Sequence, residues 1–196
     1  VMGQIKEMLF KGLHFELKNA QIQIREENIS NAMEILDRSI AYTKYIADTW
    51  NVLSTISTEG FSQFRNNLGT ASGQLSFMYR HVEFILGNKS KRLAAANKNV
   101  AHVWPEIEKA LNSPSLYDDV IVLLNKRGAS IDENALSREW SKPYERNASV
   151  EAAWLKIYED ASSDNELYRL AEKLTTLDEN FSIYRWRHFL TVQKKV

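Results

Sequence analysis

The 196-residue chain has no cysteine, three prolines and seven glycines. Without cysteine there can be no disulfide, no thiolate nucleophile, no thiolate-ligated iron and no cysteine-bound zinc or iron–sulfur centre, a pattern that suits an intracellular protein. An excess of one charge is also missing: 25 Lys and Arg stand against 25 Asp and Glu, interspersed along the chain. A nucleic-acid or membrane-surface partner would call for a basic face, so neither is expected. No apolar run approaches bilayer length and no secretory leader is visible, so the expected location is the cytoplasm. Phosphate-binding loops, dinucleotide-binding glycine fingerprints, nucleophile elbows and His-Glu-x-x-His pairs are all absent. His14, His81 and His102 lie on separate segments without metal-ligand spacing.

What the chain does have is helical periodicity. Met8, Leu9, Leu13, Leu17, Ala20 and Ile24 recur at steps of three and four, predicting a helix over Gln4–Glu26 that Gly12 weakens slightly. Ser30 is the expected N-cap of a second helix with Met33, Leu36, Ile40, Ala47, Trp50 and Leu53 on one face. The connection is short, so the two helices should pack antiparallel. A shorter helix is predicted over 58–67, followed by LGTASGQ (68–74), then a helix over Gln74–Leu86 that Gly87 stops. Residues 88–112 turn Lys- and Ala-rich and read as variable packing, with a helix over Pro105–Leu111. Pro114 and Ser115 open another helix, which Gly128 ends; a short one is predicted within 133–140, and further helices over Val150–Tyr158 and Glu166–Leu177. No stretch alternates with period two, so the fold class is all-α. The pattern is already under way at Val1 and stops soon after the final helix, so one helical domain spanning 1–196, the ordered part of a longer chain, is expected.

The last predicted helix, Asp178–Val192, is the most unusual. Phe181, Tyr184, His188 and Thr191 share one face, and Ile183, Trp186, Phe189 and Leu190 cover much of the rest, which predicts burial all round. A histidine in that setting presents a neutral imidazole to an apolar pocket. The alternative is a core histidine satisfied by a backbone carbonyl.

Five segments then carry a resemblance: FRNNLGTASGQLSFMYRHVEFILGNK (64–89), SLYDD (115–119), WLKIYED (154–160), LYRLAEKL (167–174) and FSIYRWRHFLTV (181–192). In this order and spacing they resemble the tryptophan 2,3-dioxygenase family and its wider superfamily of haem-dependent oxygenases; EMLFKGLHFEL (7–17) resembles the family's Glu-Leu-Trp helix more loosely. The resemblance implies an all-helical bundle of the tryptophan/indoleamine 2,3-dioxygenase-like type. It also implies a cytoplasmic homotetramer with one haem b per subunit, acting on an aromatic amino acid with O2 in tryptophan catabolism along the kynurenine route. His188 falls at the iron's axial ligand. Arg65 matches the arginine that grips the substrate carboxylate, a task suited to a guanidinium fork. Phe61 matches a pocket aromatic, Trp50 an aromatic close to the haem, and Ser72 and Gly73 the loop on the oxygen-binding side. Two positions depart from the family pattern. Gly3 stands where the family has its distal histidine, and Gln74 where an aromatic usually follows Ser-Gly. The family's glycine- and threonine-rich closing loop has no counterpart before Val196. The expected reaction is oxidation of L-tryptophan to N-formylkynurenine. The alternatives are a haem-dependent aromatic hydroxylase or monooxygenase, which Gly3 and Gln74 favour, and a non-catalytic haem-binding helical protein.

Overall fold

The computed structural model describes residues 1–65 and 76–193. All regular structure among them is helical: α1 (Met2–Arg25), α2 (Ile29–Leu53), α3 (Thr58–Arg65), α4 (Phe77–Ile85), α5 (Lys91–Ala95), α6 (Trp104–Leu111), α7 (Leu116–Lys126), α8 (Glu133–Leu136), α9 (Ala148–Glu159) and α10 (Glu166–Gln193).

Helix α2 is the spine. It packs along α1 on one side and α10 on the other, while α1 also carries α4 and α7. The apolar stripe read from the sequence is the one that is buried: Leu13, Leu17, Ala20 and Ile24 of α1 meet Ala32, Leu36 and Ile46 of α2 and Leu170 and Leu177 of α10 in one core. A second cluster, Phe84, Ala94, Val103, Ile107 and Leu111, seats α4 on α5 and α6. A third, Ile121, Ile131, Ala135 and Val150, ties α7 to α8 and α9.

The helix ends follow local chemistry. The Ser76 hydroxyl accepts from the Tyr79 amide at 2.9 Å and starts α4, and Gly87, at φ +93°, ends it in a conformation that favours glycine. Ser115 and Asp118 form a capping box at the start of α7, and Gly128, at φ +92°, follows its end. The predicted cap at Ser30 is wrong: α2 starts at Ile29 with Asn28 at the cap position, and the Asn28 amide donates back to Gln23. Neither expected boundary nor a break appears between 177 and 178. Helix α10 runs unbroken for 28 residues, and Thr175, Thr176 and Asn180, which flank the expected junction, each donate to the carbonyl four residues back.

Gly12 has a packing role. A Cβ there would lie 2.8 Å from the ring of Tyr42 on α2, so the glycine lets α1 and α2 approach across that ring.

Candidate functional site

The C-terminal half of α10 is amphipathic where all-round burial was expected. Phe181, Tyr184 and Thr191 are buried on the shared face, while Trp186 is 58% exposed and Phe189 53% exposed. His188 sits at the border, half-buried. Its ring stacks on Trp50 of α2 with centroids 4.8 Å apart and planes 10° apart, and Tyr184 lies 6.4 Å away. Burial, reinforced by the nearby Lys6 cation, lowers the imidazole's pKa, so at neutral pH the ring keeps a free lone pair.

His188 opens onto a cavity of about 700 Å³ between α10, α4 and α5. Trp186 and Phe189 supply aromatic surface, Tyr79 a phenol, and Arg80, Arg92 and Arg185 guanidinium groups. Arg80 is itself buried and paired with Glu83, whose other oxygen accepts from Asn88 Nδ2 at 2.9 Å. Ser90, Arg92 and Leu93 also line the cavity, so residues 88–95, read from sequence as variable packing, form one of its walls. What hides this wall in the sequence is its length: α5 has five residues, held by Ser90 at its N-cap and by the buried Lys89, whose ammonium donates to Ala110 and Ser113 carbonyls at 2.6 and 2.8 Å.

The remaining candidates are spread more widely. Trp50 is buried, and its indole N–H has no hydrogen-bond partner among the described residues. Gly3 is exposed on the first turn of α1, with nothing within 4 Å of where a Cβ would be. Phe61 is half-buried on α3, and Arg65 is exposed at the end of that helix; neither lines the cavity beside His188. Ser72, Gly73 and Gln74 lie outside the described residues.

Lys6 went unnoticed in the sequence. It lies one turn beyond Gly3, is only 8% exposed, and holds its ammonium 3.0 Å above the Trp50 ring centroid. Burial drives its pKa down to about 7. The signal that could have found it is its place in the apolar 3–4 register of α1, one turn before Phe10 and two before Leu13.

The cavity suits a flat apolar ring that carries acidic groups. Aromatic walls match the ring, three arginines match carboxylates, and one imidazole is the donor. A bare ion would fit poorly, since among the described residues no three metal-ligating side chains converge. One imidazole does suffice for an iron whose in-plane ligands come from a macrocycle. In an all-helical fold, the residues that meet here fit a planar, acid-bearing group beside a histidine.

Comparison with known proteins specifies the class further. The family model for tryptophan 2,3-dioxygenase matches residues 1–114. The chain is 36% identical over 196 residues to the tryptophan 2,3-dioxygenase of Ralstonia pickettii, covering 100% of the chain and 70% of the relative. It is 37% identical to that of Cupriavidus necator, covering 67% of it, and 36% identical over 194 residues to that of Shewanella woodyi, covering 68%. The chain belongs to the tryptophan 2,3-dioxygenase family.

Proposed function

We propose that the chain is a haem-dependent dioxygenase that opens the indole ring of L-tryptophan. Both atoms of O2 enter the product, the C2–C3 bond breaks, and N-formylkynurenine results. The observation that carries this reading is His188: in a chain similar to tryptophan 2,3-dioxygenases along its whole length, the one histidine of the last helix faces the cavity with its lone pair free.

Haem b, when bound, supplies the iron that activates O2. The protein's share is attachment, orientation and exclusion of water. His188 would hold the haem iron, with Trp50 stacked on its ring and fixing the plane of the imidazole. Trp186 and Phe189 would cover the macrocycle, and Arg80, Arg92 and Arg185 would pair with its acidic side chains. Glu83 holds Arg80 in place and Asn88 holds Glu83, so the arginine is set before any ligand arrives. Arg65 would bind the amino acid's carboxylate bidentately and Phe61 would pack on its ring, with Ser72, Gly73 and Gln74 on the oxygen-binding side. Gly3 leaves that side without the distal histidine, so orientation of the substrate, more than proton transfer from a histidine, supplies the rate. The shared name of the relatives favours ring opening over the hydroxylase and non-catalytic alternatives. A cytoplasmic homotetramer built from one helical domain per chain completes the reading. No helix among the described residues is long and apolar enough to cross a membrane.

A single turnover tests it. The haem-loaded protein is reduced, L-tryptophan and O2 are added, and the product mass is recorded. A product heavier than tryptophan by two oxygen atoms is expected, along with loss of the haem absorbance band in His188→Ala. A single added oxygen would overturn the dioxygenase reading, and an unchanged haem spectrum in the variant would overturn the ligand assignment.

A further inference from the structure

Lys6 is a buried amine with no counter-ion among the described residues. Its side chain is 8% exposed, and no carboxylate, carbonyl or hydroxyl meets it among the described residues. Its close partners among the described residues are π faces: the Trp50 ring at 3.0 Å from the centroid and the Tyr184 ring at 5.8 Å. Cation–π attraction offsets only part of what an ammonium loses on leaving water, so a lysine here makes the fold harder to stabilise. Lys89, also buried, shows the usual solution, with two carbonyl acceptors at 2.6 and 2.8 Å. A buried amine with no acceptor among the described residues regains its charge when an anion reaches it, which makes it a place for a ligand's acid group.

The position says where that anion belongs. Lys6 contacts Trp50, Trp50 stacks on His188, and Tyr184, which the ammonium also approaches, is one turn before His188 on α10. Lys6 is also one turn from Gly3 on α1, where a side chain is missing and the space beside the backbone is open. We propose that Lys6 is a carboxylate-binding residue of the His188 site, closing an ammonium–carboxylate pair with a ligand held there. This rests on the haem-dependent reading above. Two carboxylates are at hand on that reading, an acid side chain of the macrocycle and the α-carboxylate of the amino acid, and the chemistry of recognition is the same for both.

The test uses the full chain, Lys6→Met and Lys6→Arg. Methionine keeps the length and apolar contacts of the lysine stem and removes the charge. Each protein is titrated with haem b and with haem dimethyl ester, whose acid groups are masked. The loaded proteins are then titrated with L-tryptophan and with tryptamine, which has the same ring and no carboxylate. Removing a charge-assisted bond should weaken the responsible ligand roughly ten- to a hundred-fold. If Lys6→Met weakens haem b and not its ester, the macrocycle's acid is the partner. Should haem affinity hold while L-tryptophan weakens and tryptamine does not, the partner is the substrate. Lys6→Arg should retain binding in either arm. Equal affinities of wild type and Lys6→Met for all four ligands would overturn the proposal. So would a lower melting temperature of Lys6→Met without any ligand, since that would mark the cation–π contact as the reason for the lysine. Wild-type protein that takes up no haem would sink the functional reading itself and the proposal with it, a result distinct from a defect absent only in the variant.

Discussion

At the scale of single residues, the smallest side chain in α1 makes the sharpest claim. Gly12 is a poor helix former, and alanine would favour the helix by about 1 kcal/mol. Yet an alanine Cβ would meet Cε1, Cζ and Oη of Tyr42 at 2.8 Å, so the ring must shift. Overpacking of that kind costs about 1–3 kcal/mol, enough to cancel or exceed the gain. Gly12→Ala should therefore lower stability or leave it unchanged in urea unfolding. In a Tyr42→Ala background the same change should raise stability by about 1 kcal/mol, and the double-mutant cycle isolates the contact. The sequence displays the glycine and its propensity but not the ring across from it. The same limit explains Lys6, since a charge in an apolar register reads as an exception until its neighbours are known. The aromatic face beside His188, by contrast, was legible from its own helix, because Tyr184 sits one turn before it.

At the scale of elements, most helices follow from apolar spacing and caps, and the misreadings have local causes. The expected junction before Asp178 falls inside α10, where the flanking polar side chains bond to the helix's own carbonyls. The short α5 escaped notice because five residues hold too little pattern to count. The SLYDD segment shows what element-level reading leaves out. Asp118 caps α7 through Ser115 and is also gripped by Arg138 at 2.6 and 2.9 Å, while Asp119 accepts from Gln21 at 2.7 Å and from Arg25 at 2.9 Å. Two adjacent buried carboxylates thus tie α7 to α1 and to the segment after α8. Their part in the fold is structural. Asp118→Ala leaves the Arg138 guanidinium, only 11% exposed, without its anion. A loss of about 3–5 kcal/mol is expected, measurable by chemical denaturation. An effect under about 1 kcal/mol would mean the pair is as weak as a surface salt bridge.

At the scale of the whole molecule, stability should depend on pH through the seam between α1 and α4. His14 and His81 face each other there, with centroids 4.9 Å apart; Lys18 of α1 adds positive charge, and Glu106 of α6 approaches His81 Nε2 at 3.9 Å. Burial first, then the neighbouring cations, pushes His14 down to about 4, and burial lowers His81 despite the opposing pull of Glu106. Both folded values lie below those of the unfolded chain. As pH falls below about 6.5 the unfolded chain takes up protons that the folded seam resists, so the unfolding equilibrium shifts toward the unfolded state. The contribution is fully present above about 6.5 and is lost progressively toward 4. Unfolding midpoints measured across this range should drop with acid, and His14→Gln should flatten the profile. A profile unchanged by that substitution would mean the seam opens to water before it titrates.

The unbroken α10 has a mechanical consequence. Its buried face is seated in the core along most of its length, at Leu170, Leu177, Phe181 and Tyr184, and His188 lies one turn beyond the last of these. From Tyr184 to His188 the axis spans roughly 6 Å at the standard rise per residue. The helix is therefore a rod bedded almost to its working end. A tilt of about 10° at Tyr184 would be needed to swing the imidazole by about 1 Å, a displacement large enough to spoil an active-site geometry. A short overhang thus secures the aim of the ring, and the core residue nearest to it, not the one deepest in the bundle, sets the tolerance.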